Sequence, residues 1–218
     1  MQALTHAFLL VYAGLFPIVN PVGSAPFFLR LTRYVSDAER HALSRRVALG
    51  SFVLLLASLF VGAHVLDFFG ISLPIVRVGG GLVVAAMGWK LLNDEGAAAQ
   101  QNELVAKQEA ATPDAFYPLT MPLTVGPGSI SVAITIGSQR PALSSGTEFL
   151  LVGGSAVAGI TAIAATVFVC YRFADRMVGW LGPTGTDVVM RLSAFVLLCI
   201  GINIGWSGAS ELLGLHGR

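Results

Sequence analysis

Apolar residues fall along this chain in runs of about 20, the length that crosses a hydrocarbon core as a helix, with short polar stretches between them. Six runs predict six spans, at residues 3–31, 36–66, 71–92, 116–138, 149–171 and 188–213. The second opens on Ser36-Asp-Ala-Glu39, a capping box in which the serine caps the new helix and the glutamate reaches back. Two runs carry helix breakers near their middle. The first holds Pro17-Ile-Val-Asn20-Pro21-Val-Gly23-Ser24-Ala-Pro26, inside a stretch with no Lys, Arg, Asp or Glu from Met1 to Leu29. The fourth holds Pro122-Leu-Thr-Val-Gly126-Pro127-Gly128-Ser129, which aligns without gaps on residues 17–24 at the proline, the glycine and the serine. A proline inside a helix costs roughly 3 kcal/mol, and in lipid the freed backbone groups must be received by protein or by a water-filled cavity.

Three spans precede the polar stretch 93–115 and three follow it, so the chain divides into residues 1–92, a linker at 93–115 and residues 116–218. A repeat with an odd number of spans inserts its second copy upside down. The expected fold class is therefore an all-α integral membrane protein of two inverted three-helix repeats, with helices 1 and 4 discontinuous. Arg77 and Arg191 each lie a few residues into the third helix of their half and follow the same symmetry loosely. Nine basic residues fall on one side of the predicted spans (Arg30, Arg33, Arg40, Arg45, Arg46, Lys90, Lys107, Arg172, Arg176) and two, Arg140 and Arg218, on the other. The richer side faces the cytoplasm, which puts both termini outside. Trp89, Trp180 and Trp206 fall near predicted interfaces.

Composition agrees with this picture and narrows it. Of 218 residues, 55% are hydrophobic and 11% charged, and the mean hydropathy is +0.75. The formal net charge of +1, without a basic stripe, argues against nucleic-acid binding. Cys170 and Cys199 lie in apolar runs without Cys-x-x-Cys spacing and read as small core residues. There is no Gly-x-Ser-x-Gly, His-Glu-x-x-His, P-loop or Gly-x-Gly-x-x-Gly, so neither enzyme nor metal chemistry is expected and no catalytic residue is assigned. No carboxylate lies mid-span, and no cofactor is expected. A coupling ion, Na+ or H+, is left open.

The chemistry that remains belongs to the backbone at the two breaks. Ser24 and Ser129 are placed to cap new half-helices whose first amides present positive dipole to a carboxylate. Gly23 and Gly128 would let a ligand approach the backbone. Carbonyls freed before the breaks, with Asn20, Thr120 and Thr124, can receive an ammonium or a sodium ion. The substrate-binding candidates are Asn20, Pro21, Gly23, Ser24, Thr124, Gly126, Gly128 and Ser129. Arg77, Arg191 and Asn203 are candidates for gating or substrate contact, although an arginine near a helix end commonly snorkels. Gly201, Gly205 and Ala209 form a stripe of small residues suited to close packing, within the bundle or in a homo-oligomer.

Asn20-Pro21-x-Gly23-x-x-Pro26, Arg77-x-Gly79-Gly80 and Pro122-Leu-x-x-Gly126-Pro127-Gly128-Ser129-Ile130 resemble the signatures of the MarC family of six-helix bacterial inner-membrane proteins, also called the neutral amino-acid transporter family. The resemblance covers the chain apart from the linker. It implies a multi-pass protein of the bacterial inner membrane that moves small neutral amino acids such as glycine and alanine, by uptake or export. It also carries an older association with antibiotic resistance that nothing in these residues supports. One asymmetry stands out: Val125 occupies the position that matches Asn20. The expected function is a secondary transporter for small neutral amino acids. The alternatives are a passive channel or exporter for another small solute, and a membrane scaffold without transport.

Overall fold

A computed structural model describes residues 2–93, 114–138 and 146–214. The linker expected at 93–115 falls almost wholly outside the described residues. Among those residues the structure is helical: α1 (Gln2–Val19), α2 (Pro21–Leu31), α3 (Asp37–Phe68), α4 (Leu73–Asn93), a π-helical turn (Leu119–Thr124), α5 (Pro127–Ser138), α6 (Gly146–Arg172) and α7 (Ala174–Leu212). The capping box forms as its residues predict, with the Glu39 amide donating to Ser36 Oγ at 3.3 Å and the Ser36 amide to Glu39 Oε2 at 2.9 Å.

Among the described residues, four helical stretches are long and apolar enough to cross a membrane: Asp37–Phe68, Leu73–Lys90, Gly153–Arg172 and Thr184–Leu212. The pair Ala7–Val19 and Pro21–Leu31, bent by 42° at Asn20, makes a fifth if it counts as one broken span. The fourth expected span, 116–138, is not one helix. Its first part is the π-helical turn, Met121 leaves helical geometry (φ −121°, ψ 122°), and Val125 is extended (φ −118°, ψ 97°). Pro118, Pro122 and Pro127 lack the amide protons that an α-helical ladder would need there. The final span also differs from expectation, because its helix begins at Ala174 and is broken at Gly182.

The core gathers α1, α2, α3, the π-helical turn, α5 and α6 around Val11, Leu15, Phe28, Leu55, Leu119, Ile160 and Tyr171. α4 and α7 pack along each other through small residues. A Cβ built on Gly81 would lie 2.4 Å from the Gly205 amide nitrogen, and one on Gly201 would lie 2.3 Å from that of Ala85. The small-residue stripe of α7 is thus occupied within the chain, as helix pairs in lipid use such stripes.

Candidate functional site

Asn20 makes the first break. Its backbone is left-handed (φ 46°, ψ 58°), a conformation that asparagine tolerates better than most residues. Its amide closes α1 on the Phe16 carbonyl at 2.9 Å, and its Oδ1 accepts from the Gly23 amide at 3.1 Å to cap α2. Gly23 must be small for this to happen, since a Cβ there would lie 2.3 Å from Asn20 Nδ2. Pro21 then occupies the first position of α2, where its missing N–H costs nothing.

These bonds correct the role expected of Ser24. It lies inside the first turn of α2 rather than at the cap, and its hydroxyl donates back to the Asn20 carbonyl and, at 3.3 Å, to that of Val19. Ser129 does likewise, inside α5 and donating to the Gly126 carbonyl at 2.9 Å. A buried hydroxyl beside an interrupted helix meets a freed carbonyl more readily than it caps the next turn. Capping belongs to Asn20 in the first half, and Val125 has no side chain that could do the same in the second.

That difference decides which backbone groups stay open. Pro21 gives no proton to the Pro17 carbonyl, and among the described residues the Ile18 carbonyl and Val22 amide also lack partners. At the second break neither the Gly128 nor the Ser129 amide meets an acceptor among the described residues, although Gly128 and Ser129 are both buried. The first break therefore offers two carbonyls beside the Val22 amide, and the second offers uncapped amides at a helix N-terminus.

The two interruptions meet on a residue that the sequence pattern did not single out. Tyr171, in the last turn of α6, is fully buried, and its hydroxyl lies 2.7 Å from Thr124 Oγ1. The Ser24 hydroxyl neighbours the same phenol oxygen, while its own hydrogen bonds go to the Val19 and Asn20 carbonyls. Thr124 Oγ1 donates to the Leu119 carbonyl at 2.7 Å, so the phenol is the donor between the two. Ser24, Thr124 and Tyr171 have thus committed their protons and keep spare lone pairs. Together they form an acceptor set suited to an incoming N–H donor. Phe28 stacks on the Tyr171 ring with centroids 4.4 Å apart. An aromatic residue at the end of an apolar run, followed by Arg172, reads in sequence as an interfacial anchor. No spacing rule distinguishes it from a buried one.

The remaining candidates separate. Gly128 faces α4, because a Cβ there would lie 1.8 Å from Val84 Cγ2; its smallness serves helix packing. Gly126 forms the junction before α5 and accepts from the Ile130 amide at 3.1 Å. Arg77 pairs with Glu211 across the α4–α7 seam, its side chain 12% exposed. Arg191 and Asn203 are exposed on α7.

Comparison with known proteins supplies the rest of the assignment. The sequence profile described as MarC family integral membrane protein matches residues 5–213. The protein named inner membrane protein MarC of Salmonella paratyphi B is 30% identical over 208 residues, covering 91% of this chain and 92% of the relative. The protein of the same name from Salmonella typhimurium matches equally, and that of Escherichia coli O1:K1 is 29% identical over 204 residues with the same coverage. No solved structure matches. With its apolar spans and relatives named for the inner membrane, this is a multi-pass inner membrane protein. The chain belongs to the MarC family of integral membrane proteins.

Proposed function

We propose that this protein is a secondary transporter of small neutral amino acids, glycine and alanine among them, and is not an enzyme. The observation that carries the reading is the Tyr171 hydroxyl in the bundle interior, which bonds Thr124 of one interrupted segment and neighbours Ser24 of the other. An ammonium group is a donor, and the hydroxyl cluster with the open Pro17 and Ile18 carbonyls accepts. A carboxylate is an acceptor, and the uncapped Gly128 and Ser129 amides at the positive end of α5 donate. A small zwitterion satisfies both sets, whereas a large or charged side chain would have to displace the apolar core around them. The substrate is then the partner, the bilayer is the solvent, and no cofactor takes part.

In this reading the broken pair α1–α2 and the interrupted segment 114–138 are corresponding spans of two inverted three-helix repeats, and alternating access comes from rocking one against the other. The cytoplasmic face is the one that carries Arg40 and Asp175, with both termini outside. Counterflow of labelled alanine in liposomes tests the function. Saturable exchange supports the carrier, flux that rises linearly with concentration identifies a channel, and no flux leaves a scaffold.

A further inference from the structure

Among the described residues, the ion pairs Arg77–Glu211 and Arg40–Asp175 join the first half of the chain to the second, and they lie at opposite ends of the bundle. Arg77, in the first turns of α4, pairs with Glu211 in the last turn of α7. Arg40, in the first turn of α3, places Nη1 3.1 Å from Asp37 Oδ1 and 3.0 Å from Asp175 Oδ2, while its Nη2 donates to the Thr32 carbonyl at 3.2 Å. α3 alone, at 32 residues or about 48 Å, separates the two ends.

The pairs are built differently. Beside Arg77 the helices touch backbone to backbone, since a Cβ on Gly208 would lie 2.5 Å from the Pro74 carbonyl and 2.8 Å from Arg77 Cβ. Asp175 sits instead on the short stretch 174–181, which Gly182 separates from the rest of α7. Gly182 has φ 65° and ψ 177°, a combination open essentially to glycine alone. Nothing lies within 4 Å of a Cβ built there, so the position needs glycine for its backbone and not for space.

A continuous path of contacts leads from the candidate site to the Arg40 pair. Thr124 meets the Tyr171 hydroxyl, the Tyr171 ring stacks on Phe28, Thr32 Oγ1 donates to the Phe28 carbonyl at 2.7 Å, and the Thr32 carbonyl accepts from Arg40. Phe28, Thr32 and Tyr171 are fully buried, and the Arg40 side chain is 10% exposed. Among the described residues, this stack of side chains rests on Arg40 and its two carboxylate partners, Asp37 and Asp175.

We infer that Arg40 and Asp175 form a latch that holds the 174–181 helix across this end of the substrate path, with Gly182 as its hinge, whereas Arg77 and Glu211 clamp a seam that does not open. The inference rests on the transport reading only in calling the closed end part of a substrate path. Its test reads access to the site directly. In a protein carrying Ser24→Cys and lacking Cys170 and Cys199, a membrane-impermeant maleimide is applied to each face of oriented vesicles. Asp175→Asn removes the latch charge, and Gly182→Ala disfavours the closed backbone. Each should speed labelling from the Asp175 face about tenfold, Asp175→Asn because Arg40 then pairs only with Asp37 of its own helix and Gly182→Ala because the closed backbone becomes strained, and leave the other face unchanged. Arg77→Gln should label at the parent rate. Parent-rate labelling in both latch variants, with monodisperse protein, overturns the inference, and so does equal acceleration by Arg77→Gln. If labelling accelerates while a protein with native Ser24 shows no alanine exchange, the latch stands and the transport reading falls. If alanine exchange saturates while labelling does not change, the reverse holds.

Discussion

At the scale of the residue, Asn20 performs two tasks that few side chains combine. It holds a left-handed backbone, which costs other non-glycine residues about 1–2 kcal/mol, and its amide oxygen caps α2, a contact worth about 1 kcal/mol. Asn20→Ala should therefore lower unfolding stability in detergent by about 2 kcal/mol, while Asn20→Gly restores the backbone and loses only the cap, about 0.5 kcal/mol. Equal losses in denaturant titrations of the two variants would show that the break is held by packing instead. Asn20 was legible because an asparagine followed by proline, deep in an apolar run, does not fit an unbroken membrane helix. Ser24 and Ser129 were found as residues but not in their roles, since sequence places a hydroxyl near a break without saying whether it will meet an amide or a carbonyl. Tyr171 was not legible, because its partners are 47 and 147 positions away and only the fold brings them together.

Among the elements, the apolar runs marked the helices well, but interruptions shifted their bounds. Three prolines between 118 and 127 signalled a break without specifying that its first part would wind as a π-helical turn. Gly182 was passed over because it falls between the expected spans 149–171 and 188–213, where a glycine reads as loop. The stripe on α7 shows how orientation separates similar glycines. Gly201 points its missing side chain at the Ala85 amide 2.3 Å away, whereas a Cβ on Gly205 meets nothing within 4 Å. Gly201→Ala should force α4 and α7 apart and lower the thermal unfolding temperature by several degrees. Gly205→Ala should leave it unchanged or raise it slightly, as alanine favours helix. Thermal denaturation of both variants decides, and matched losses would contradict the packing described here. Gly128 illustrates the same point at the site, because Val84 fills the space in front of it. A bulky residue there would perturb the fold before any ligand was tested.

Across the whole molecule, large apolar side chains such as Leu82, Leu192 and Ile202 are exposed, a surface that hydrocarbon solvates and water would not. Trp89, Trp180 and Trp206 also lie on the outside, as interfacial anchors require. The asymmetry of basic residues predicts that a cysteine replacing Trp180 labels from the cytoplasmic side and one replacing Phe69 from the outside, in a background lacking Cys170 and Cys199. The opposite pattern with an impermeant reagent on intact cells would invert the topology. The central claim is that the two interrupted segments form one site through the Tyr171 hydroxyl, and Tyr171→Phe isolates it. The ring and its stack on Phe28 remain, Thr124 and Ser24 keep their carbonyl partners, and only one oxygen is lost. A hydrogen bond to a charged ammonium contributes about 1.5–3 kcal/mol, so the half-saturation concentration for alanine counterflow should rise by roughly tenfold or more. The measurement is counterflow in liposomes with parent and Tyr171→Phe proteins at equal abundance and monodispersity. Saturable exchange in the parent with weakened half-saturation in the variant is the predicted result. A well-folded Tyr171→Phe protein that exchanges alanine with the parent's half-saturation, or a parent that exchanges none, would contradict the account.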